Sequence, residues 1–152
     1  MSIGWIIALI AGSIIIAGLS FYLGRLLMQL KQIKQAQQQQ ITKRNNKLSE
    51  DIYTIAWAMQ EGQCDSSEGC LRIWVLLDHI IEEPKGDNQQ RYPGIFALYD
   101  KIKDLPTHNA RKELPKKELR KMDAERLNYE QEFKALIDAD VGKIIEKFKP
   151  AQ

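Results

Sequence analysis

Two cysteines and two histidines are the side chains of this sequence best suited to metal or redox chemistry. They are Cys64, Cys70, His79 and His108. Five residues separate the cysteines, which is neither the two-residue spacing of redox-active dithiols nor that of a usual zinc knuckle. Together with the histidines they match no zinc-finger pattern. We therefore predict no metal site and no cofactor.

A pair of acidic residues is the next candidate for chemistry. Asp78 and Glu82 are four residues apart, so they share one face of a helix and have the types needed for general acid–base work. An exposed acidic face explains the same pattern. The sequence contains no nucleophile elbow, phosphate-binding glycine loop or HExxH helix. We therefore predict that the chain is not an enzyme.

Two basic clusters could bind phosphate groups. The first contains Arg25, Lys31, Lys34, Lys43 and Arg44, and the second contains Arg111, Lys112, Lys116 and Lys117. Lipid headgroups and nucleic acids both attract such side chains without a sequence requirement. In the second cluster Glu113 and Glu118 are interleaved with the basic residues, which is typical of a solvated helix. The bilayer is the expected partner, and nucleic acid is not.

An apolar segment at the amino end must position these residues. Residues 3–23 carry no charge, and 21 helical residues span about 32 Å, the thickness of the hydrocarbon core. Trp5 lies near one end and Phe21 and Tyr22 near the other, where headgroup regions are expected. A cleaved signal peptide would need a basic region before the apolar stretch, and only Met1 and Ser2 precede it. We predict a single transmembrane helix.

The charges that follow this segment predict its direction. Six lysines or arginines lie among residues 25–47, against Glu50 as the single acid among residues 1–50. Positive side chains remain in the cytoplasm, so the amino terminus is expected outside and the carboxy-terminal domain in the cytoplasm of a bacterial inner membrane. Cysteines in that compartment stay reduced.

Small residues recur at every fourth position of the apolar segment. Gly4, Ala8 and Gly12 form a row that could let two membrane helices approach closely and form a homodimer. Small residues are also common in membrane helices generally, and that interpretation is favoured. A homodimer therefore remains one alternative.

The remainder of the chain has helical periodicity and no segment of period two. Because no glycine or proline lies between Gly24 and Gly62, the membrane helix is expected to continue through a basic, glutamine-rich stalk. Asp65 and Glu68 resemble a capping box that opens a second helix, which is the most apolar outside the membrane. Pro93 and Pro115 are each placed to begin a further helix. We predict an all-α chain: an anchor over residues 1–25, a stalk over 26–50 and a cytoplasmic helical bundle over 51–150.

Several short segments, in this order, resemble an uncharacterised family of small single-span proteins from Gram-negative bacteria. They include Phe21-Tyr22-Leu23-Gly24-Arg25, Gln63-Cys64-Asp65-Ser66-Ser67-Glu68-Gly69, Tyr92-Pro93 and Leu105-Pro106-Thr107-His108. The resemblance covers nearly the whole chain and implies an inner-membrane protein. It implies no activity and no catalytic residue.

Three hypotheses for function remain at this point. The first is a membrane-anchored interaction or scaffold protein whose helical body binds another protein. The second is a membrane-tethered module that binds anionic lipid or nucleic acid through the basic clusters. The third, least supported, is an enzyme or metal protein built around Cys64, Cys70, Asp78, His79 and His108.

Overall fold

The computed structural model describes residues 3–106 and 114–150, and these contain five helices and no strand. The predicted all-α fold class is confirmed. The helices are α1 (Ile3–Gln60), α2 (Ser66–His79), α3 (Asn88–Arg91), α4 (Pro93–Ile102) and α5 (Lys116–Phe148). The chain divides into two compact units, Met1–Lys43 and Arg44–Gln152. The three-part division into anchor, stalk and bundle stays a prediction.

The described part of the first unit is the amino-terminal portion of α1. Its large apolar side chains are exposed around the whole helix, as at Ile3 (77%), Trp5 (70%) and Ile14 (67%). An 18-residue window of this helix is long and apolar enough to cross a membrane, and none of that window is buried. Exposed apolar area on this scale is unfavourable in water, at about 25 cal/mol per Å².

The helix α1 continues without interruption to Gln60, as the absence of glycine and proline predicted. It ends where Gly62 adopts a left-handed backbone with φ of 69°. This conformation lets the Gly62 amide donate to the Met59 carbonyl (3.1 Å) and the Gln63 amide donate to the Ala58 carbonyl (2.8 Å). Glycine is favoured there because it has no Cβ to clash.

The second unit has one hydrophobic core, to which α1, α2, α4 and α5 all contribute. The fully or nearly fully buried apolar residues are Ile52, Ala56, Cys70, Ile73, Leu77, Tyr92, Ile95, Leu98, Ile102, Ile137, Val141 and Ile144. The short helix α4 packs closely against both α5 and α2. The helix α2 contributes Cys70, Ile73 and Leu77 to this core and keeps its other face, with Val75, open to solvent.

The predicted helix starts are mostly correct. Pro93 is the first residue of α4, and Pro115 is the N-cap of α5. Asp65 is the N-cap of α2, but its side chain makes no capping hydrogen bond. Glu68 pairs with Arg72 one turn further along the helix instead of reaching back to the cap. The capping-box prediction was therefore wrong in its side-chain contacts.

Candidate functional site

An open groove lies between α1 and α2 in the second unit. It has a volume of about 590 Å³. The walls contain the aliphatic side chains of Ile55, Leu71, Val75 and Leu76. Ile55, Leu71 and Leu76 are half-buried, whereas Val75 is 48% exposed. Although Val75 belongs to the most apolar stretch outside the first part of α1, its side chain faces solvent at the groove.

Two opposite charges lie on opposite walls of this groove, Asp51 on α1 and Arg72 on α2. Arg72 pairs with Glu68 at 2.5 Å, one turn away on the same helix, and both side chains are more than half exposed. Such an exposed pair contributes only about 0.3–0.5 kcal/mol. Asp51 makes no ion pair with any other residue in the part of the chain that the structure describes. The groove therefore combines an aliphatic surface with a free carboxylate on one wall and a weakly engaged guanidinium on the other.

The segment that follows α2 is fixed to α1 by one asparagine. The Asn45 side chain donates to the Ile81 carbonyl at 2.8 Å and accepts from the Ile81 amide at 3.1 Å, so it pairs with both backbone groups of that residue. In the sequence Asn45 is one of two adjacent asparagines between Arg44 and Lys47, and no pattern there distinguishes it from Asn46.

Glu82, in the same segment, contacts two cations. One oxygen accepts from Arg91 at 3.0 Å and the other from Lys147 of α5 at 3.3 Å. The hydrogen bond from Arg91, followed by the charge of Lys147, holds the pKa of Glu82 below its ordinary value. Asp78 instead contacts Lys85 at 3.3 Å. Glu82 and Asp78 therefore contact different cations, and no contact joins the two carboxylates among the described residues.

The junction between α4 and α5 depends on a buried aspartate. Asp140 is 1% exposed, and one of its oxygens accepts from the backbone amides of Gly94 (2.7 Å) and Ile95 (3.2 Å) at the start of α4. Its other oxygen accepts from Lys143 at 2.9 Å. In the sequence Asp140 is an interruption in the apolar row of the last helix. The interruption marks the position as unusual, but it does not show which groups the carboxylate contacts.

The cysteines and histidines do not form a common site in the described residues. Cys70 is buried, and desolvation raises the pKa of its thiol to about 12, while Cys64 is half-buried with its pKa also raised by burial. His79 is exposed and its Nδ1 lies 2.6 Å from the Val75 carbonyl. His108 lies outside the described residues. Over residues 3–106 and 114–150, no three His, Cys, Asp or Glu side chains are placed to hold a metal ion.

The basic clusters are solvated where the structure describes them. The side chains of Arg25, Lys31, Lys34, Lys43 and Arg44 are all exposed along α1, and those of Lys116 and Lys117 are exposed in the first turn of α5. None of these seven makes an ion pair within the described residues. Arg111 and Lys112 lie outside that part of the chain. The first cluster is therefore a row of free cations, available to an anionic surface.

Comparison with known proteins gives a family and no activity. A family model described as a protein of unknown function (DUF2489) matches residues 16–144. An uncharacterised protein of Haemophilus influenzae is 37% identical over 145 residues, which cover 95% of each chain. No solved structure has a significant match to the chain. The chain therefore belongs to the DUF2489 family of proteins of unknown function.

Proposed function

We propose that this chain is a membrane-anchored interaction protein, held in the bacterial inner membrane by the first part of α1. The observation that carries the proposal is the exposure of apolar side chains around the whole of that helix portion, with none of its apolar window buried. A soluble protein would bury such a helix in its own core. Lipid is the solvent that this surface fits, because the uncharged length matches the hydrocarbon thickness.

The basic side chains that follow the apolar segment support an orientation for the anchor. Arg25, Lys31 and Lys34 are exposed and have no acidic partner within the described residues. Unpaired cations of this kind stay on the cytoplasmic side during insertion. We therefore place the amino terminus outside and the second unit in the cytoplasm.

The open groove between α1 and α2 supports a role in protein interaction. Its walls are mostly aliphatic, and its single free charge is the carboxylate of Asp51. A surface of this composition gains free energy when another apolar surface covers it. That the chain is not an enzyme stays a prediction.

Membrane insertion is tested with a charge placed inside the anchor. Ile14→Lys introduces a cation at the centre of the apolar segment, which costs roughly 2.5–3.5 kcal/mol of insertion free energy. Ile33→Lys introduces the same side chain in the polar portion of α1, at a position that is also exposed (54%, against 67% for Ile14). We expect the wild-type chain and Ile33→Lys to remain in membranes after alkaline carbonate extraction, and a substantial fraction of Ile14→Lys to be released.

Orientation is tested in the same cells with reporters fused to the carboxy terminus. A reporter that is active only in the cytoplasm should be active, and a phosphatase that is active only outside it should be inactive. A wild-type chain released by carbonate would contradict the anchor. An active phosphatase fusion would contradict the orientation.

The free cations of the first basic cluster favour a second function, binding of anionic lipid headgroups. Each Lys or Arg near an anionic surface contributes about 1 kcal/mol of attraction, which salt screens. A spin label at residue 35 of the full chain, reconstituted in neutral or anionic vesicles, tests this. Immobilisation that requires anionic lipid and disappears at 1 M salt would support headgroup binding, and equal mobility in both vesicles would exclude it.

A further inference from the structure

The groove between α1 and α2 has a charge arrangement that is complementary to itself. Asp51 lies on the α1 wall and Arg72 on the α2 wall, and the aliphatic side chains of Ile55 and Val75 also line the groove. A two-fold axis that runs along the groove brings the α1 wall of one copy opposite the α2 wall of the other. The wall that carries Asp51 then meets the wall that carries Arg72, and each apolar surface faces an apolar surface. Closed two-fold dimers of this isologous kind are the commonest protein oligomers.

We propose that the groove is the surface through which two copies of this chain bind each other. The inference deepens the proposed function, since it names a second copy as the partner of the interaction. Asp51 has no ion-pair partner within the described residues. Glu50 of the same helix and Glu61 just after its end also have none, but of these three carboxylates only Asp51 lines the groove. A carboxylate left free beside an apolar groove is explained when the partner supplies the cation.

Exposure at the groove supports the same conclusion. Val75 is 48% exposed although it lies in the most apolar stretch outside the first part of α1. A nucleic acid is a poor occupant, because the free charge of the groove is negative. Anchoring in one membrane would also concentrate copies of the chain, which favours association at a modest intrinsic affinity.

Charge reversal in the full-length chain tests this pairing. Two copies with different affinity tags are produced together, and the membranes are dissolved in mild detergent. The copy with the first tag is purified, and the amount of the second copy that is purified with it is measured as co-capture. Asp51→Lys in both copies places a lysine opposite Arg72, and Arg72→Glu in both copies places a glutamate opposite Asp51. We expect each reversal to lower co-capture at least fivefold relative to the wild type.

The decisive experiment combines the two reversals in different copies, which we call the mixed pair. When one tagged copy carries Asp51→Lys and the other carries Arg72→Glu, both contacts across the two-fold axis are again between opposite charges. Co-capture should recover to within twofold of the wild type. A role of either residue within its own chain would not recover in this way, because each copy still carries its own altered side chain.

A second pair of variants tests whether self-association depends on the groove or on another surface of the second unit. Val75→Glu places a charge in the groove and should abolish co-capture. Leu127→Glu alters a side chain of matched exposure on α5 (51%, against 48%) and should leave co-capture unchanged. The helical content of each variant, measured by circular dichroism, shows whether it is folded.

Three outcomes overturn the inference. They are absence of co-capture by the wild type, co-capture that persists in both single reversals, and failure of the mixed pair to recover. Persistent co-capture would assign self-association to another surface, such as the row Gly4, Ala8 and Gly12. Carbonate extraction of the same membranes distinguishes the two proposals, because an anchored chain without co-capture retains the proposed function and loses only this inference.

Discussion

Two helix junctions within the second unit differ in how completely they are closed. At the junction of α4 and α5, a Cβ added to Gly94 would lie 2.5 Å from the Leu136 carbonyl carbon, so the backbones are in direct contact. Buried Asp140 completes that junction by accepting both amides at the start of α4. At the junction of α1 and α2, a groove of about 590 Å³ stays open, with Val75 exposed on its wall.

The difference indicates where stability and interaction are located. The α4–α5 junction satisfies its buried polar groups and leaves no space, so changes there should lower the free energy of unfolding. The α1–α2 groove leaves apolar area and one carboxylate without partners, so changes there should affect association and leave folding largely intact.

The largest expected effect is at Asp140. Asp140→Ala leaves the buried amides of Gly94 and Ile95 without an acceptor, and should lower the free energy of unfolding by about 2–4 kcal/mol. Urea unfolding of the full chain in detergent, followed by tryptophan fluorescence, measures this loss.

Two further variants serve as controls. Asp140→Asn retains one acceptor and should lose less stability. Asp138→Ala, at an exposed position two residues earlier, should change stability by less than about 0.5 kcal/mol. Equal losses for the variants of residues 138 and 140 would show that the cap does not stabilise this junction.

A smaller loss is expected when the contact at Gly94 is disturbed. Gly94→Ala forces apart two backbones that cannot yield, because the added Cβ meets Leu136 and Ile137 main-chain atoms at 2.5 and 2.7 Å. Overpacking of this kind costs about 1–3 kcal/mol. The matched control is Gly142→Ala in α5, where nothing lies within 4 Å of the added Cβ. That variant should gain up to about 1 kcal/mol through helix propensity. A stable Gly94→Ala variant would contradict the close approach of α4 and α5.

The smallest effect on stability is expected at Glu82, where exposure weakens the ion pairs with Arg91 and Lys147. Because the pKa of Glu82 is lowered in the folded state, its contribution is present above its ordinary value of 4.5 and lost as the pH falls through the lowered value. Glu82→Gln should therefore cost less than about 1 kcal/mol at pH 7, and the difference from the wild type should vanish in acid. Urea unfolding at pH 7 and at pH 3 measures this change. The matched control is Glu83→Gln at the neighbouring exposed position, which makes no ion pair within the described residues and should change stability at pH 7 by less than about 0.5 kcal/mol.

Much of the fold was predictable because it depends on local signals. The absence of glycine and proline between Gly24 and Gly62, and the prolines at residues 93 and 115, each act through neighbouring residues, and each predicted a helix or a helix boundary correctly. The capping box failed because Glu68 has a competing partner, Arg72, one turn along the same helix. That competition follows from side-chain geometry, which the spacing alone does not fix.

The candidate site was not predictable in the same way. A helical period of 3.6 residues places Val75 on the opposite face of α2 from Ile73 and Leu77, in agreement with its exposure, but it does not show that α1 lies across a groove from Val75. The role of Asp140 depends on Gly94, 46 residues earlier in the chain. Contacts over such separations arise from the packing of α4 against α5, and a single sequence contains no pattern that encodes them.

The most direct test of the groove as an interaction surface is photo-crosslinking in intact membranes. A photoreactive residue replaces Val75 in the full-length chain, and a second version carries it in place of Leu127. We predict a light-dependent product of twice the 17.5 kDa chain mass from position 75 and none from position 127. Reaction of position 75 with lipid alone, or identical products from both positions, would contradict the account.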